Sequence, residues 1–379
     1  MKENQSIKNN IAIDALGINH VGGARSVTLP LLKRVFKMKK EWRFFCFLTQ
    51  FEEDFNFPNV KQIVLPLSKG PFSRLLFQLV FPILVIVYKI DITHFIKSQA
   101  SLIFFSKKVL TIYDCTILKY PQYFNLLSRL FWRHLQPIVC RNMDRIITIS
   151  ENAKSEIIEF LNVPPEKISV IYPAPQFDSR DANPDQAKKT IRQKYTLGEE
   201  YILYIGQIGL KKNLNTLIKA YKIIKEKRPD APPLILVGPR YHLSDAGEIF
   251  DMIDRFNLNE CIHYLGPVEK HQLYEILSKA LFLLFPSVHE GFGIPLVEAM
   301  QQGIPVIASN TSVMPEVLNN AGVLVNEFLS PSAWADKIIQ LYDDPELRNQ
   351  LSIQGSNRAK NFSWKTSAEK LIHIYEELL

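Results

Sequence analysis

The chain has 379 residues, 47% hydrophobic and 22% charged, a length and composition that suit two folded domains and exclude a disordered or fibrous chain. Its net charge of +7 is uneven, with 24 Lys/Arg against 14 Asp/Glu in residues 1–180 (+10) and 21 against 24 in the remainder (−3). A basic half suits an anionic lipid surface or an acidic acceptor as well as plain solubility, whereas dispersed Lys/Arg without an aromatic platform speak against nucleic acid.

Met1 to Asn10 is polar, carries no secretion-signal pattern, and leads into a strand at Ile11–Ala15. A loop with Gly22-Gly23 and a helix running to about Lys40 follow, and Pro30 should kink or delay that helix. Apolar runs at Trp42–Thr49, Ile63–Pro66, Ile90–Phe95, Lys108–Tyr113, Arg145–Ile149 and Ile168–Pro173 read as further strands, with helical patterns between several of them. Leu75–Tyr88 is apolar but short of the roughly 20 residues a spanning helix needs. It is expected as a buried or interfacial helix, with peripheral contact to the inner face of a membrane as one reading. Residues 177–199 are polar and form the expected linker between domains 1–176 and 200–362.

The second domain repeats the alternation. Strands are expected at Tyr201–Ile205, Leu234–Val237, Ile262–Tyr264, Leu281–Phe285, Pro305–Ala308 and Gly322–Leu324, with helices at Leu214–Lys227, Lys270–Ala280 and Ser332–Tyr342. A last helix, Lys365–Leu379, follows Trp364. Both halves therefore predict an α/β class of two doubly wound, Rossmann-like domains with parallel sheets. Ligands of this class bind at the carboxyl ends of the strands, here in an expected interdomain cleft. Cys46, Cys115, Cys140 and Cys261 are scattered, so neither a disulfide framework nor a metal site is expected and a reducing, cytoplasmic setting is.

The most informative string is Glu290-Gly291-Phe292-Gly293-Ile294-Pro295-Leu296-Val297-Glu298-Ala299-Met300. It lies between two apolar strands, with Pro295 where a helix would begin, so it reads as the centre of a βαβ unit. Such a unit presents backbone N–H groups and a positive helix end to an anion such as a diphosphate. The two carboxylates, eight positions apart, fall in the loop and in the expected first turn of the helix. A carboxylate there can accept hydrogen bonds from a ribose diol. A second phosphate cue is Gly206-Gln207-Ile208-Gly209-Leu210-Lys211-Lys212-Asn213, where Asn213 reads as a helix N-cap with Lys211 and Lys212 beside it.

At these residues the chain resembles the retaining, nucleotide-sugar-dependent glycosyltransferases of the GT-B fold, the "group 1" (family 4) type that includes bacterial mannosyl- and glucosyltransferases. Glu-x7-Glu, with Gly-Phe-Gly and Pro between, is that family's most specific mark. The resemblance implies that Glu298 binds the ribose and that Glu290 contacts the transferred sugar. Gly291, Phe292 and Gly293 would offer backbone N–H groups. Lys212 matches the family's phosphate-binding lysine, and Lys211 stands where the family usually has arginine, keeping charge without the bidentate fork. Gly206 closes the preceding strand, and Ser309 and Thr311 follow the next one as nucleotide contacts.

In the first domain the resemblance points to Gly22 and Gly23, to Tyr113 and Asp114, and to Ser150. Many relatives have His-Asp where this chain has Tyr113-Asp114, a departure that bears on donor sugar and turnover. Without a ligand, Asp114 reads as a turn residue and Ser150 as an N-cap. His289 reads as a loop side chain rather than a base. The helix 363–379 of the resembled family crosses back to the first domain. The expectation is therefore a metal-independent transferase that needs no cofactor. It would move a hexose from a GDP- or UDP-sugar to a glycan or lipid-linked acceptor in cell-surface polysaccharide synthesis. A non-catalytic sugar-nucleotide-binding protein and a sugar-nucleotide epimerase are the alternatives.

Overall fold

The computed structural model describes residues 9–16, 18, 23–65, 71–98, 100–101, 105–176, 200–240 and 243–379, with backbone alone at 71–77, 211 and 243–245. The expected linker 177–199 lies outside the described residues. The chain divides into two compact units, Met1–Ala174 with Ser363–Leu379, and Pro175–Phe362.

The first unit holds strands β1 (Asn10–Asp14), β2 (Arg43–Leu48), β3 (Val60–Val64), β4 (Ile92–Phe95), β5 (Lys107–Thr111), β6 (Arg145–Thr148) and β7 (Ile168–Val170). They pair in parallel in the order β3-β2-β1-β4-β5-β6-β7. Helices α1 (Gly23–Met38), α2 (Pro71–Val87), α3 (Thr116–Lys119), α4 (Leu126–Leu130), α5 (Gln136–Arg141) and α6 (Glu151–Leu161) connect them, with a π-helical stretch, Phe131–Leu135, joining α4 to α5. Helices on both faces bury β2 almost completely, which is why it reads as an unbroken apolar run rather than an alternation. Alternate residues still go to opposite cores: Phe44, Cys46 and Leu48 join α1, while Phe45 and Phe47 join α2, α5 and α6.

The second unit holds β8 (Ile202–Ile205), β9 (Leu234–Val237), β10 (Ile262–Gly266), β11 (Phe282–Phe285), β12 (Val306–Ser309) and β13 (Val323–Val325). Their parallel order is β10-β9-β8-β11-β12-β13. Its helices are α7 (Leu214–Lys227), α8 (Leu243–Arg255), α9 (Lys270–Ser278), α10 (Ile294–Gln301), α11 (Met314–Leu318), α12 (Pro331–Asp343) and α13 (Pro345–Ala359).

Three details depart from the sequence reading. Pro30 does not delay α1, which begins at Gly23 and continues through Pro30 to Met38. The third strand starts three residues earlier than expected and stops at Val64, because only half-buried, partly polar side chains mark it. Helix α13 went unanticipated, since Leu351, Gly355 and Ala359 alone are buried along it. Gly355 lets it approach α10, where an added Cβ would come within 3.3 Å of Met300.

The last helix, α14 (Trp364–Leu378), belongs to the first unit and packs in the core of α1. Its Tyr375 hydroxyl is 2.6 Å from Nδ1 of buried His94 on β4, whose Nε2 is 2.7 Å from Thr111 Oγ1 on β5. Burial pushes the His94 pKa down to about 3, so the imidazole is neutral in the fold. An unfolded histidine titrates near 6.5, so this group adds stability above that pH and loses it as pH falls from about 6.5 towards 3. The expected loss is about 1.4 kcal/mol per pH unit. His94→Gln should flatten that slope in denaturant titrations between pH 7 and 4. Subtracting the variant's curve from the wild type's isolates the histidine, because Asp14 and Glu298, both raised to about 7, act with the opposite sign.

Candidate active site

In the second sheet the chain winds one way from β8 to β10 and the other way from β11 to β13. The order reverses between β8 and β11, and such a switch point opens a crevice beyond the carboxyl ends of the two strands. Lys212 comes from the 3-10 turn Leu210–Lys212 after β8. Glu290 comes from the loop after β11. The structure brings them together: Lys212 Nζ forms an ion pair with Glu290 Oε1, and both side chains keep partial access to solvent. Ser287 Oγ donates to the same carboxylate oxygen at 2.7 Å. Ser312, in the left-handed region at φ 53°, holds the Glu290 backbone through Glu290 N–H at 3.3 Å and Glu290 C=O at 3.0 Å. Sequence reading missed Ser287 and Ser312 because neither falls inside the motif. The Lys211 side chain lies outside the described residues.

Glu298 is the fifth residue of α10, one place beyond the first turn expected for it, and is 4% exposed. An exposed glutamate serving only the helix dipole is thereby excluded. One oxygen, Oε1, accepts the Gln176 N–H at 3.2 Å. Burial is the larger influence and raises the carboxyl to about 7, against the lowering effects of that hydrogen bond and of Lys270. A half-protonated carboxyl near neutral pH can both accept from and donate to a diol.

The glycines have local reasons. Gly293 caps α10 at φ 87°, and a Cβ there would sit 2.9 Å from Leu296. A Cβ on Gly206 would come within 2.6 Å of the Tyr204 hydroxyl, which donates to Gln207 C=O at 2.7 Å and braces the turn after β8. Gly291 and Phe292 are buried, and the Phe292 ring packs edge-on against Phe362 at 5.4 Å, so only its backbone can serve a ligand. Asn213 is not the side-chain N-cap expected of it: it occupies the cap position in the left-handed region and gives its amide to Phe328 C=O at 2.9 Å. Ser309 ends β12 with a fully buried Oγ that has no hydrogen-bond partner among the described residues, an orphan hydroxyl at the same rim.

In the first unit Gly23 opens α1, while Gly22 lies outside the described residues. The Tyr113 hydroxyl donates to Ile96 C=O at 2.8 Å and is bonded to Thr28 Oγ1, so the fold already engages it. Asp114 accepts Thr116 N–H at 2.9 Å in a local turn, and Ser150 caps α6 through Ala153 N–H at 3.0 Å. Asp14, missed in the sequence, ends β1 at the first sheet's own switch point between β1 and β4. Burial raises its carboxyl to about 7, with Leu16 N–H and the charge of Lys97 working against the shift.

The sequence profile described as "Glycosyl transferases group 1" matches residues 187–358, and the one described as "Glycosyltransferase Family 4" matches residues 21–174. O-antigen chain mannosyltransferase B of Escherichia coli is 32% identical over 276 residues, covering 72% of this chain and 71% of that protein. The chain belongs to the group 1 glycosyltransferase family. O-antigen chain mannosyltransferase RfbU of Salmonella typhimurium is also 32% identical, over 58% of this chain and 56% of its own length. Among solved structures, sucrose-phosphate synthase of Thermosynechococcus elongatus superposes with a TM-score of 0.78 at 21% identity, covering 98% of this chain and 99% of that one. Anabaena HepE in complex with UDP-glucose gives 0.78 at 18% identity, covering 98% and 100%. This glycosyltransferase thus has the GT-B fold, two Rossmann-like domains.

Two expectations follow from the site itself. A carboxyl raised from 4.5 to about 7 by folding costs stability progressively as pH rises through that window. Glu298→Gln should therefore stabilise the ligand-free protein at pH 8 by up to about 3 kcal/mol, read as a higher denaturant midpoint than wild type, with the gap closing at pH 4. Gly293→Ala should lower the midpoint at every pH by about 1–2 kcal/mol, since it forces a Cβ into a left-handed position.

Proposed function

We propose that this glycosyltransferase moves a hexose, mannose first among the candidates, from a GDP- or UDP-sugar to a hydroxyl of a glycan or lipid-linked acceptor. The anomeric configuration would be retained and the product would enter cell-surface polysaccharide synthesis. The observation that carries the reading is the meeting of Lys212 and Glu290 at the switch point of the second sheet. The names of the two mannosyltransferase relatives favour mannose, and the UDP-glucose held by the Anabaena neighbour favours a nucleoside diphosphate sugar as donor class.

Each residue then has a task. Lys212, with Lys211 and the amino end of α7, takes the charge that develops on the leaving diphosphate, in place of a metal ion. The ion pair with Glu290 keeps the ammonium at its post until the donor arrives. Glu290 then turns to hydroxyls of the transferred sugar, and Gly291, Phe292 and Gly293 offer backbone to the sugar and phosphate. Glu298 binds the ribose diol. Ser309 gives its orphan hydroxyl to the nucleotide. The leaving diphosphate oxygen takes the proton of the incoming hydroxyl on the same face of the sugar, so neither glutamate acts as a nucleophile.

A sugar-nucleotide-binding protein without turnover is the second reading. Tyr113 favours it, because it stands where many members of the resembled family have a histidine, and its hydroxyl is engaged by Thr28 and Ile96.

The test is a panel of GDP-, UDP- and ADP-sugars in the presence of EDTA, with donor binding and slow nucleotide release measured. Release from one hexose donor is expected, with Lys212→Ala and Glu298→Ala each lowering donor affinity at least tenfold. Binding without release, from any donor and with any acceptor, would favour the second reading. Absence of donor binding would overturn both. The anomeric coupling in the product's NMR spectrum reads retention directly.

A further inference from the structure

The first unit exposes two apolar helix faces on the same side of its sheet. Helix α2 and helix α5 both feed the core that contains Phe81, Val85, Val139 and Cys140, so they cover one face. Outward from that core, α2 shows Leu79, Ile83, Ile86 and Val87 to solvent, the last 64% exposed. Their spacing makes one helical stripe. The run from α4 through the π-helical stretch to α5 shows Leu126, Leu127, Leu130, Leu135 and Ile138, with Leu127 79% exposed. Singly exposed leucines need no explanation, but two sets of them on elements that pack against one core do.

Charge identifies the occupant. Residues 115–143 contain no Asp or Glu, yet carry Lys119, Arg129, Arg133, His134 and Arg141. Lys119 is paired with Glu156 at 3.0 Å. Arg129, Arg133 and Arg141 are exposed and make no ion pair among the described residues. Guanidinium groups thus stand among exposed leucines on one helical run. An anionic bilayer offers the complement, negative headgroups over an apolar layer that takes up short aliphatic side chains. A second copy of this run would bring further arginines and no carboxylate to a two-fold contact, which disfavours self-association. No helix of the described residues is long and apolar enough to cross a membrane. Contact in the plane of the interface is what these short elements permit.

We propose that the outer face of α2 and of the 126–141 helical run is a docking surface for an anionic lipid bilayer, with Leu126, Leu127 and Leu130 entering the interface and Arg129 and Arg133 meeting the headgroups. This goes beyond the assignment of donor and reaction and does not depend on it, since the surface belongs to the first unit and the test needs no substrate.

The full chain would be floated with vesicles of phosphatidylglycerol and phosphatidylcholine, and with phosphatidylcholine alone. Binding is expected to the anionic vesicles, weakening as salt is raised. At about 1 kcal/mol per basic residue, Arg129→Gln with Arg133→Gln should reduce it about thirty-fold. Leu126→Gln, Leu127→Gln and Leu130→Gln together should reduce it at least tenfold. Lys222→Gln with Lys227→Gln, in the second unit, should leave it within twofold. All substituted side chains are largely exposed, and unchanged melting curves would verify that the variants fold. Equal binding by wild type and both first-unit variants would overturn the proposal, as would no binding to either vesicle. Concentration-dependent dimers in light scattering, lost in the leucine variant, would instead assign the surface to a second copy.

Discussion

Parallel strands cannot be joined by a tight hairpin, and every connection in this chain has to cross over a face of its sheet. From that constraint comes the gathering of all the loops that follow strands at one rim. In the second sheet the winding reverses between β8 and β11, and the loops leaving these two neighbours diverge to opposite faces. Lys212 and Glu290, 78 positions apart in the chain, become an ion pair only because their strands are adjacent there. The close approach of strand ends is equally forced. An added Cβ at Gly238, where β9 ends at φ 142°, would lie 1.9 Å from the Gly206 carbonyl at the end of β8.

Two buried groups of the second unit are under-satisfied. The Glu298 carboxyl has one backbone donor, and the Ser309 hydroxyl has no partner among the described residues. Buried polar groups of this kind are ordinarily paired, and those that are not lie where something else supplies the partner. Proteins accept such losses at sites and compensate in the scaffold. Here the compensation is visible in α10 itself, where Leu296, Val297, Ala299 and Met300 are fully buried around Glu298.

Much of this was legible in the sequence, and for a physical reason. Strands buried on both faces leave apolar runs, and a Gly-Phe-Gly loop ahead of Pro295 marks a helix start; both are local signals. The alternation of strands and helices therefore placed the second unit's six strands, and its helices α7, α9 and α12, to within a residue or two. What stayed hidden depends on contacts between distant segments. Glu298 is held by the distant Gln176 N–H, and the support of Glu290 comes from Ser287 and Ser312. Asn213 looked like a cap because its type fits one, yet Phe328 C=O claims its amide. Helix α13 has no apolar stripe to announce it, because its buried residues are few and small. Asp14 ends an ordinary strand, and only the packing around it raises its carboxyl.

The division of charge along the chain also acquires a meaning. The half that carries Lys212 and Glu298 has a net charge of −3, so the proposed binding of a diphosphate there cannot come from a general positive field. It has to come from a few groups in fixed positions, and at short range a fixed cation in a partly dry site outweighs a distant excess of the opposite sign, because solvent and salt screen the latter within about 10 Å. The first half, at +10, has the reverse arrangement, with arginines such as Arg129 and Arg133 spread over an exposed helical run and tied to no carboxylate among the described residues. A dispersed positive surface is poorly suited to hold one diphosphate in register and well suited to a large, laterally uniform negative one. With the proposed anion site in the acidic half, the basic excess of the other half is left available for a broad surface.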